Sequence, residues 1–226
     1  MMYHYVSDRG SGPSYVSPEN FRRHMEYLKK HRYHVISMDQ LVEDIKISKK
    51  PFRRESVVIA FDDGYEDNYT AAFSILKQFG FPATFFISPE LIGTEGFMSW
   101  KQVKEMQEAG YVFGSHGMTQ SYLPDLSRDK LRYEIAESKK VLERQLNCKV
   151  DYIAYPVGGF TEEVKSLVRE LGYKAGFTTN RGNDRFDRDT YEMNRIRFSN
   201  ADNHDIILMM KLSGYYNRFR TFKKPN

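Results

Sequence analysis

The sequence predicts an α/β protein built as a closed or nearly closed (β/α) barrel. Short apolar, β-rich runs alternate with longer stretches of helical pattern from one end of the chain to the other. The runs are hydrophobic on both sides, as strands buried in a parallel sheet are. About eight strand-and-helix units fit within the 226 residues, which favours a barrel over the alternative, a two-sided open sheet.

Strands are expected at Met2–Val6, Val35–Ser37, Val57–Phe61, Ala83–Ile87, Tyr111–Gly114, Tyr152–Tyr155, Ala175–Thr179 and Ile196–Phe198. Helices fall between them. Ser17–Pro18 supplies a cap followed by proline at the first helical position, ahead of Phe21, Met25 and Leu28 on one face. Asn68 opens a second helix carrying Ala72, Phe73, Leu76 and Phe79, and Ser99 a third, with Trp100, Val103 and Met106, that stops at Gly110. A long polar-faced helix is expected from Ser127 to near Leu146, and another from Thr161 to Gly172. Ser7–Ser14 reads as a polar loop, and no Pro/Gly-rich linker divides the chain, so one domain over 1–226 is expected. The basic end, Arg218 to Lys224, reads as a solvated tail.

Composition narrows the function. The 34 Lys and Arg against 30 Asp and Glu are scattered in both signs, so no nucleic-acid partner is expected. The single Cys148 cannot close an intramolecular disulfide. No apolar run approaches the ~18–20 residues of a membrane span. The first methionine lies almost on the first strand, so the chain is expected either to work in the cytoplasm, the favoured location, or to have had a leader removed.

The chemistry gathers at strand ends. The run Val57–Phe61 leads directly into Asp62-Asp63-Gly64, at the carboxyl end of a buried strand, where a barrel holds its active site. Neighbouring strand residues point in opposite directions, so one carboxylate is expected to bind a cation and the other to accept a proton. A turn with an Asx cap is the plainer alternative. His116 follows the strand that begins at Tyr111, His4 lies on the first strand, Tyr155-Pro156-Val157-Gly158-Gly159 leaves another, and Arg195 precedes the last. In a parallel barrel these residues converge on one rim. Together they offer a carboxylate and an imidazole for a metal such as zinc, a second carboxylate as base, another imidazole as acid, and exposed backbone amides.

These residues carry a resemblance to the polysaccharide deacetylase family (the NodB-homology domain, carbohydrate esterase family four), whose fold is a distorted (β/α) barrel. IAFDDGYEDNY resembles its TFDDG motif, GSHGMTQSYL its GSHTxxHxxL motif and AYPVGG its AYPYG segment. The opening MMYHYV is similar to the subgroup containing poly-N-acetylglucosamine deacetylases, in which the strand with the catalytic histidine stands at the N-terminus. The resemblance implies hydrolysis of N-acetyl groups from a sugar or glycan, with release of acetate. It implies a divalent metal, zinc with cobalt or nickel as alternatives, on Asp63, His116 and the position of Gln120. Asp62 would be the base and His4 the acid. Tyr155, Pro156, Val157 and Arg195 would line the substrate and oxyanion side, with the Val157 amide as donor. His204 begins a helical pattern and reads as a surface residue.

The sequence departs from the family at Gln120, where the second metal histidine is expected one helical turn after His116. An amide oxygen is a poorer zinc ligand than imidazole. The rival expectation is therefore a glycan-binding protein that has lost efficient metal chemistry. A glycosidase using Asp62 and Asp63 fits less well, because its two carboxyls must flank one bond ~5–9.5 Å apart.

Overall fold

The structure is a computed structural model that describes residues 1–48, 55–180 and 189–216. The expected tail from Arg218 to Lys224 lies outside the described residues. In chain order the strands are β1 (Met2–Tyr3), β2 (Tyr5–Val6), β3 (Tyr15–Val16), β4 (His34–Val35), β5 (Ser56–Val57), β6 (Ala60–Phe61), β7 (Thr84–Ile87), β8 (Val112–Ser115), β9 (Tyr152–Ala154), β10 (Ala175–Thr178) and β11 (Met193–Asn194). The helices are α1 (Pro18–Lys30), α2 (Met38–Glu43), α3 (Ser74–Phe79), α4 (Trp100–Glu108), α5 (Arg128–Arg132), α6 (Ser138–Leu146), α7 (Glu162–Glu170) and α8 (Asp205–Leu212). Wide π-type turns lead into α3 at Asn68–Phe73 and join α5 to α6 at Tyr133–Glu137.

Seven strands form one parallel sheet in the order β1-β6-β7-β8-β9-β10-β11. The sheet bends until its edges meet through one short stretch of chain. Met193 and Asn194 pair with β10, and a few residues later Arg197 bridges in parallel to Met2. Met2 donates to the Ile196 carbonyl at 2.8 Å and accepts from the Phe198 amide at 2.9 Å. The result is the nearly closed (β/α) barrel expected from the alternating pattern, distorted as the family resemblance implies.

Strand periodicity divides the apolar residues into two layers. Ala60, Phe86, Ala154, Phe177 and Met193 fill the barrel interior, and α2 closes its base with Met38 and Val42. Phe61, Phe85, Phe113 and Ile153 face outward against Phe21, Met25, Leu76, Val103, Leu142 and Val168 of the surrounding helices. Local signals start the helices where expected. Ser17 Oγ accepts from the Asn20 amide at 3.1 Å, Ser99 and Gln102 form a reciprocal capping box, and Thr161 Oγ1 accepts from Val164.

Four expected strands are altered. Ile196–Phe198 keeps only the single bridge at Arg197, because the last strand to pair with β10 lies earlier, at β11. Met2–Val6 breaks at His4: β1 stays in the barrel, whereas β2 leaves it to pair with β3 across the Ser7–Ser14 loop. Val57–Phe61 is likewise divided between β5 and β6. Val35–Ser37 never joins the barrel. His34 and Val35 pair with β5, and Ser37 turns the chain by capping α2, its Oγ accepting from Gln40 at 3.1 Å.

A buried polar contact ties α1 to the C-terminal segment. His24 is 1% exposed, with Nδ1 3.0 Å from the Tyr3 hydroxyl and Nε2 2.9 Å from the Asp202 carbonyl. A carbonyl only accepts, so Nε2 carries the proton and Nδ1 accepts from Tyr3. Burial lowers the His24 pKa to about 4, below its unfolded value near 6.5. The unfolded chain therefore binds this proton first as pH falls, and stability is lost between about pH 6.5 and 4. The expected loss, up to about 3 kcal/mol, should appear as a falling urea midpoint over that range. His24→Gln should flatten this part of the curve, and an unchanged slope would contradict the assignment.

Candidate active site

The interior positions Met2, Ala60, Phe86, Gly114, Ala154 and Met193 are followed two residues later by His4, Asp62, Ser88, His116, Pro156 and Arg195. With a side-chain period of two, the strands that bury apolar groups inside the barrel deliver five polar side chains and one proline to the same face at its carboxyl-end rim.

Asp62 and Arg195 form the most buried charged contact there. The guanidinium donates to both carboxylate oxygens, Nη1 to Oδ1 at 2.5 Å and Nη2 to Oδ2 at 2.8 Å. Asp62 is 2% exposed and Arg195 7%. The guanidinium also lies 5.0 Å above the Phe86 ring. Burial pushes the Asp62 pKa up, but the charges of Arg195 and His116 overcome it and hold the carboxyl below its ordinary range. Arg195 thus grips Asp62 from within the site rather than facing substrate directly.

Asp63 reaches the same cavity by a different device. The opposed-direction expectation holds only while the backbone stays extended, and Asp63 has left the strand with φ of 77°. This left-handed turn brings its Oδ1 to 3.3 Å from His116 Nε2. Gln120 Nε2 donates to the same oxygen at 3.2 Å. Gln120 therefore faces the site, but not from a helix. Residues 116–121 form a loop in which Gln120 itself is left-handed, with φ of 64°.

His116 is held on three sides. Its amide donates to Ile87, its carbonyl accepts from Ser88 Oγ, and its Nδ1 lies 2.8 Å from the Ala154 carbonyl. That carbonyl makes Nδ1 the donor, so in neutral imidazole the Nε2 lone pair points at a carboxylate oxygen. Such a pair is repulsive unless a positive charge stands between. Burial opposes charging of His116, but the Asp63 contact and the field of Asp62 prevail and raise its pKa. A proton is one solution. A metal ion is another, because zinc bonds of ~2.0–2.2 Å to tetrahedrally disposed ligands separate those ligands by ~3.3–3.5 Å. The donor set of carboxylate, imidazole and amide therefore fits a divalent cation, with Gln120 as its weak member. Among the described residues no group of three or more His, Cys, Asp or Glu side chains is arranged to hold a metal ion.

His4 sits at the break between β1 and β2, beside Asp62, whose amide donates to Tyr3. Its carbonyl accepts from Asn68 Nδ2 at 2.8 Å, and its Nδ1 is buried without a hydrogen-bond partner among the described residues. Burial lowers its pKa, with Asp62 and Asp63 pulling the other way.

The remaining expected site residues divide. Tyr155 is fully buried in the outer core and donates its hydroxyl to the Tyr191 carbonyl at 2.7 Å, so it braces the rim from behind. Pro156 is buried, whereas Val157 stands on the rim, 78% exposed and left-handed with φ of 58°. A β-branched residue held in that region is strained, which is common where a turn is shaped for function. His204 is exposed at the start of α8.

The sequence marks Asn68 only as a helix start and does not single out Ser88, although Ser88 follows the interior period of its strand. An aromatic column was also missed. Tyr5 stacks between Tyr15, at 4.3 Å, and Tyr65, at 3.6 Å, and so fixes the Ser7–Ser14 loop beside Asp63.

Comparison with known proteins identifies the family and matches the fold. The family profile of polysaccharide deacetylases matches residues 49–176. The chain is 34% identical over 200 residues to YxkH of Bacillus subtilis, named for the same family, with 88% of this chain and 70% of that protein covered. It is 29% identical over 200 residues to a Staphylococcus epidermidis poly-beta-1,6-N-acetyl-D-glucosamine N-deacetylase, covering 82% and 68%. Among solved structures, the Streptococcus pyogenes deacetylase PplD in complex with acetate superposes with a TM-score of 0.86 at 27% identity, covering 94% and 96% of the two chains. The chain belongs to the polysaccharide deacetylase family.

Proposed function

We propose that this chain is a metal-dependent carbohydrate de-N-acetylase that hydrolyses the acetamide of an N-acetylated sugar or glycan to acetate and a free amino sugar. The observation that carries the reading is the His116–Asp63 contact, in which a donor-committed Nδ1 leaves the Nε2 lone pair facing a carboxylate. The family, the poly-N-acetylglucosamine activity in one relative's name and the acetate held by another support it.

Asp63 and His116 would hold the ion, with the Gln120 amide turned to present its oxygen. When bound, a zinc ion, or cobalt or nickel in its place, polarises an acetamide carbonyl and lowers the pKa of water. Asp62 takes a proton from the attacking water. Its pairing with Arg195 keeps it ionised and aimed, at some cost in basicity. His4 is the group left to protonate the departing nitrogen, with a ring nitrogen committed to no other residue among those described. Burial favours neutral His4 at rest. Negative charge developing on the substrate oxygen adds to that of the two aspartates and favours passage of the proton that Asp62 took from water to His4, which gives it to the nitrogen as the C–N bond breaks. The Val157 amide, on its left-handed turn at the rim, serves as a further oxyanion donor.

A second reading, a glycan-binding protein without efficient metal chemistry, is favoured by one contact: Gln120 Nε2 already donates to the Asp63 oxygen that a metal would use. Two measurements separate the readings. Asp62→Asn should lower acetate release ~100- to 10,000-fold while bound zinc stays nearly unchanged, whereas Asp63→Asn should lose both. Equal zinc loss in the two variants would overturn the assignment of roles. Gln120→His should bind zinc ~10-fold or more tightly in calorimetric titration and release acetate faster. A pseudoenzyme would instead show no acetate release from the parent at any zinc concentration.

A further inference from the structure

The loop that carries His116 and Gln120 has little structure of its own, and its shape is imposed from outside. Its amides at Met118 and Thr119 both donate to Glu134 Oε2, at 2.7 and 3.0 Å, and the Thr119 hydroxyl donates to Oε1 at 2.5 Å. Two successive backbone amides aimed at one oxygen make a nest, a geometry suited to an anion. Here the anion is a side chain of the same protein. Glu134 is 4% exposed, and among the described residues no lysine or arginine pairs with it. Its compensation comes from the loop. Charge-assisted hydrogen bonds of this kind are shorter and stronger than neutral ones.

The fit is close on both sides. Gly117 is left-handed with φ of 78°, and a Cβ there would lie 2.7 Å from Glu134 Oε2. Glu134 lies in the π-type turn Tyr133–Glu137, a local widening of the kind often found at functional sites. The same helical stretch holds the loop's entry, because Ser138 Oγ is 2.8 Å from Ser115 Oγ, which accepts from the Gly117 amide at 3.2 Å.

We propose that Glu134 is the positioning residue of the site: by gathering the Met118 and Thr119 amides and the Thr119 hydroxyl, it holds His116 and Gln120 at the spacing that lets both face Asp63. The inference rests on the metal reading above for its consequence, but the loop geometry it explains does not depend on that reading. Glu134→Gln keeps an acceptor for the two amides and offers its NH2 to Thr119 Oγ1, whose hydroxyl can then donate to Ser121 Oγ, 2.7 Å away. Glu134→Ala keeps neither.

The test uses hydrogen exchange of residues 115–121 in metal-free protein, followed by zinc titration. Leu208→Ala, a fully buried position on α8, serves as a destabilised control remote from the loop. Glu134→Ala should lose loop protection ~10-fold or more and bind zinc ~10-fold or more weakly. Glu134→Gln and Leu208→Ala should keep both near the parent values. Unchanged protection in Glu134→Ala, or an equal zinc loss in Leu208→Ala, would overturn the proposal. If the parent itself binds no zinc while protection still follows the variants as stated, the metal reading fails and the positioning role of Glu134 stands.

Discussion

The bidentate contact between Asp62 and Arg195 joins residues 133 positions apart and lies where the barrel closes. Arg195 stands between Asn194, the last residue paired with β10, and Arg197, the residue bridged to β1, so it sits at the seam of the sheet. Two charges removed from water repay their desolvation only when hydrogen bonding is good on both sides, and leaving one alone typically costs ~3–5 kcal/mol. The seam and the site therefore constrain each other. Chain closure presents Arg195 to Asp62, and the ionised Asp62 in turn makes burial of the guanidinium tolerable.

That pairing sets the charge balance of the whole rim. Asp62 and Asp63 bring two negative charges, and Arg195 answers one of them. His116 stands where the second must be answered, by its own proton or by a bound cation, with its Nδ1 committed to Ala154. His4 is nearby but is pushed toward neutrality by burial, so it leaves that balance undisturbed and keeps a nitrogen available. Glu134 is kept out of this balance because backbone amides, rather than a cation, satisfy it.

Much of this was legible in the sequence for simple reasons. Buried parallel strands announce themselves by apolar residues on both faces, and Asp62 and His116 stand immediately beyond such runs. Serine caps at Ser17 and Ser99 mark the starts of helices by local hydrogen bonding that needs no tertiary context. The failures came where context decides. Val35–Ser37 has strand composition, but Ser37 caps α2, a short helix stabilised by burial of Met38 and Val42 under the barrel, which no local pattern records. Asp63 and Gln120 reach the site through left-handed backbone; the turn at Asp62-Asp63-Gly64 is the plainer alternative the sequence offers, whereas nothing in its residue type marks Gln120 for that conformation. Tyr155 looked like a sugar contact because its motif lies at a strand end. Its side chain has the outward parity of the strand and is spent on Tyr191.

The proposed function requires a cation site between Asp63 Oδ1 and His116 Nε2. Crystals of the protein soaked in zinc and measured by anomalous diffraction across the zinc edge test it most directly. One strong anomalous peak is expected within ~2.0–2.2 Å of both atoms, with the Gln120 amide rotated away from its present contact with Asp63. Zinc absent from this position at saturating concentration, with the Gln120–Asp63 hydrogen bond intact, would contradict it.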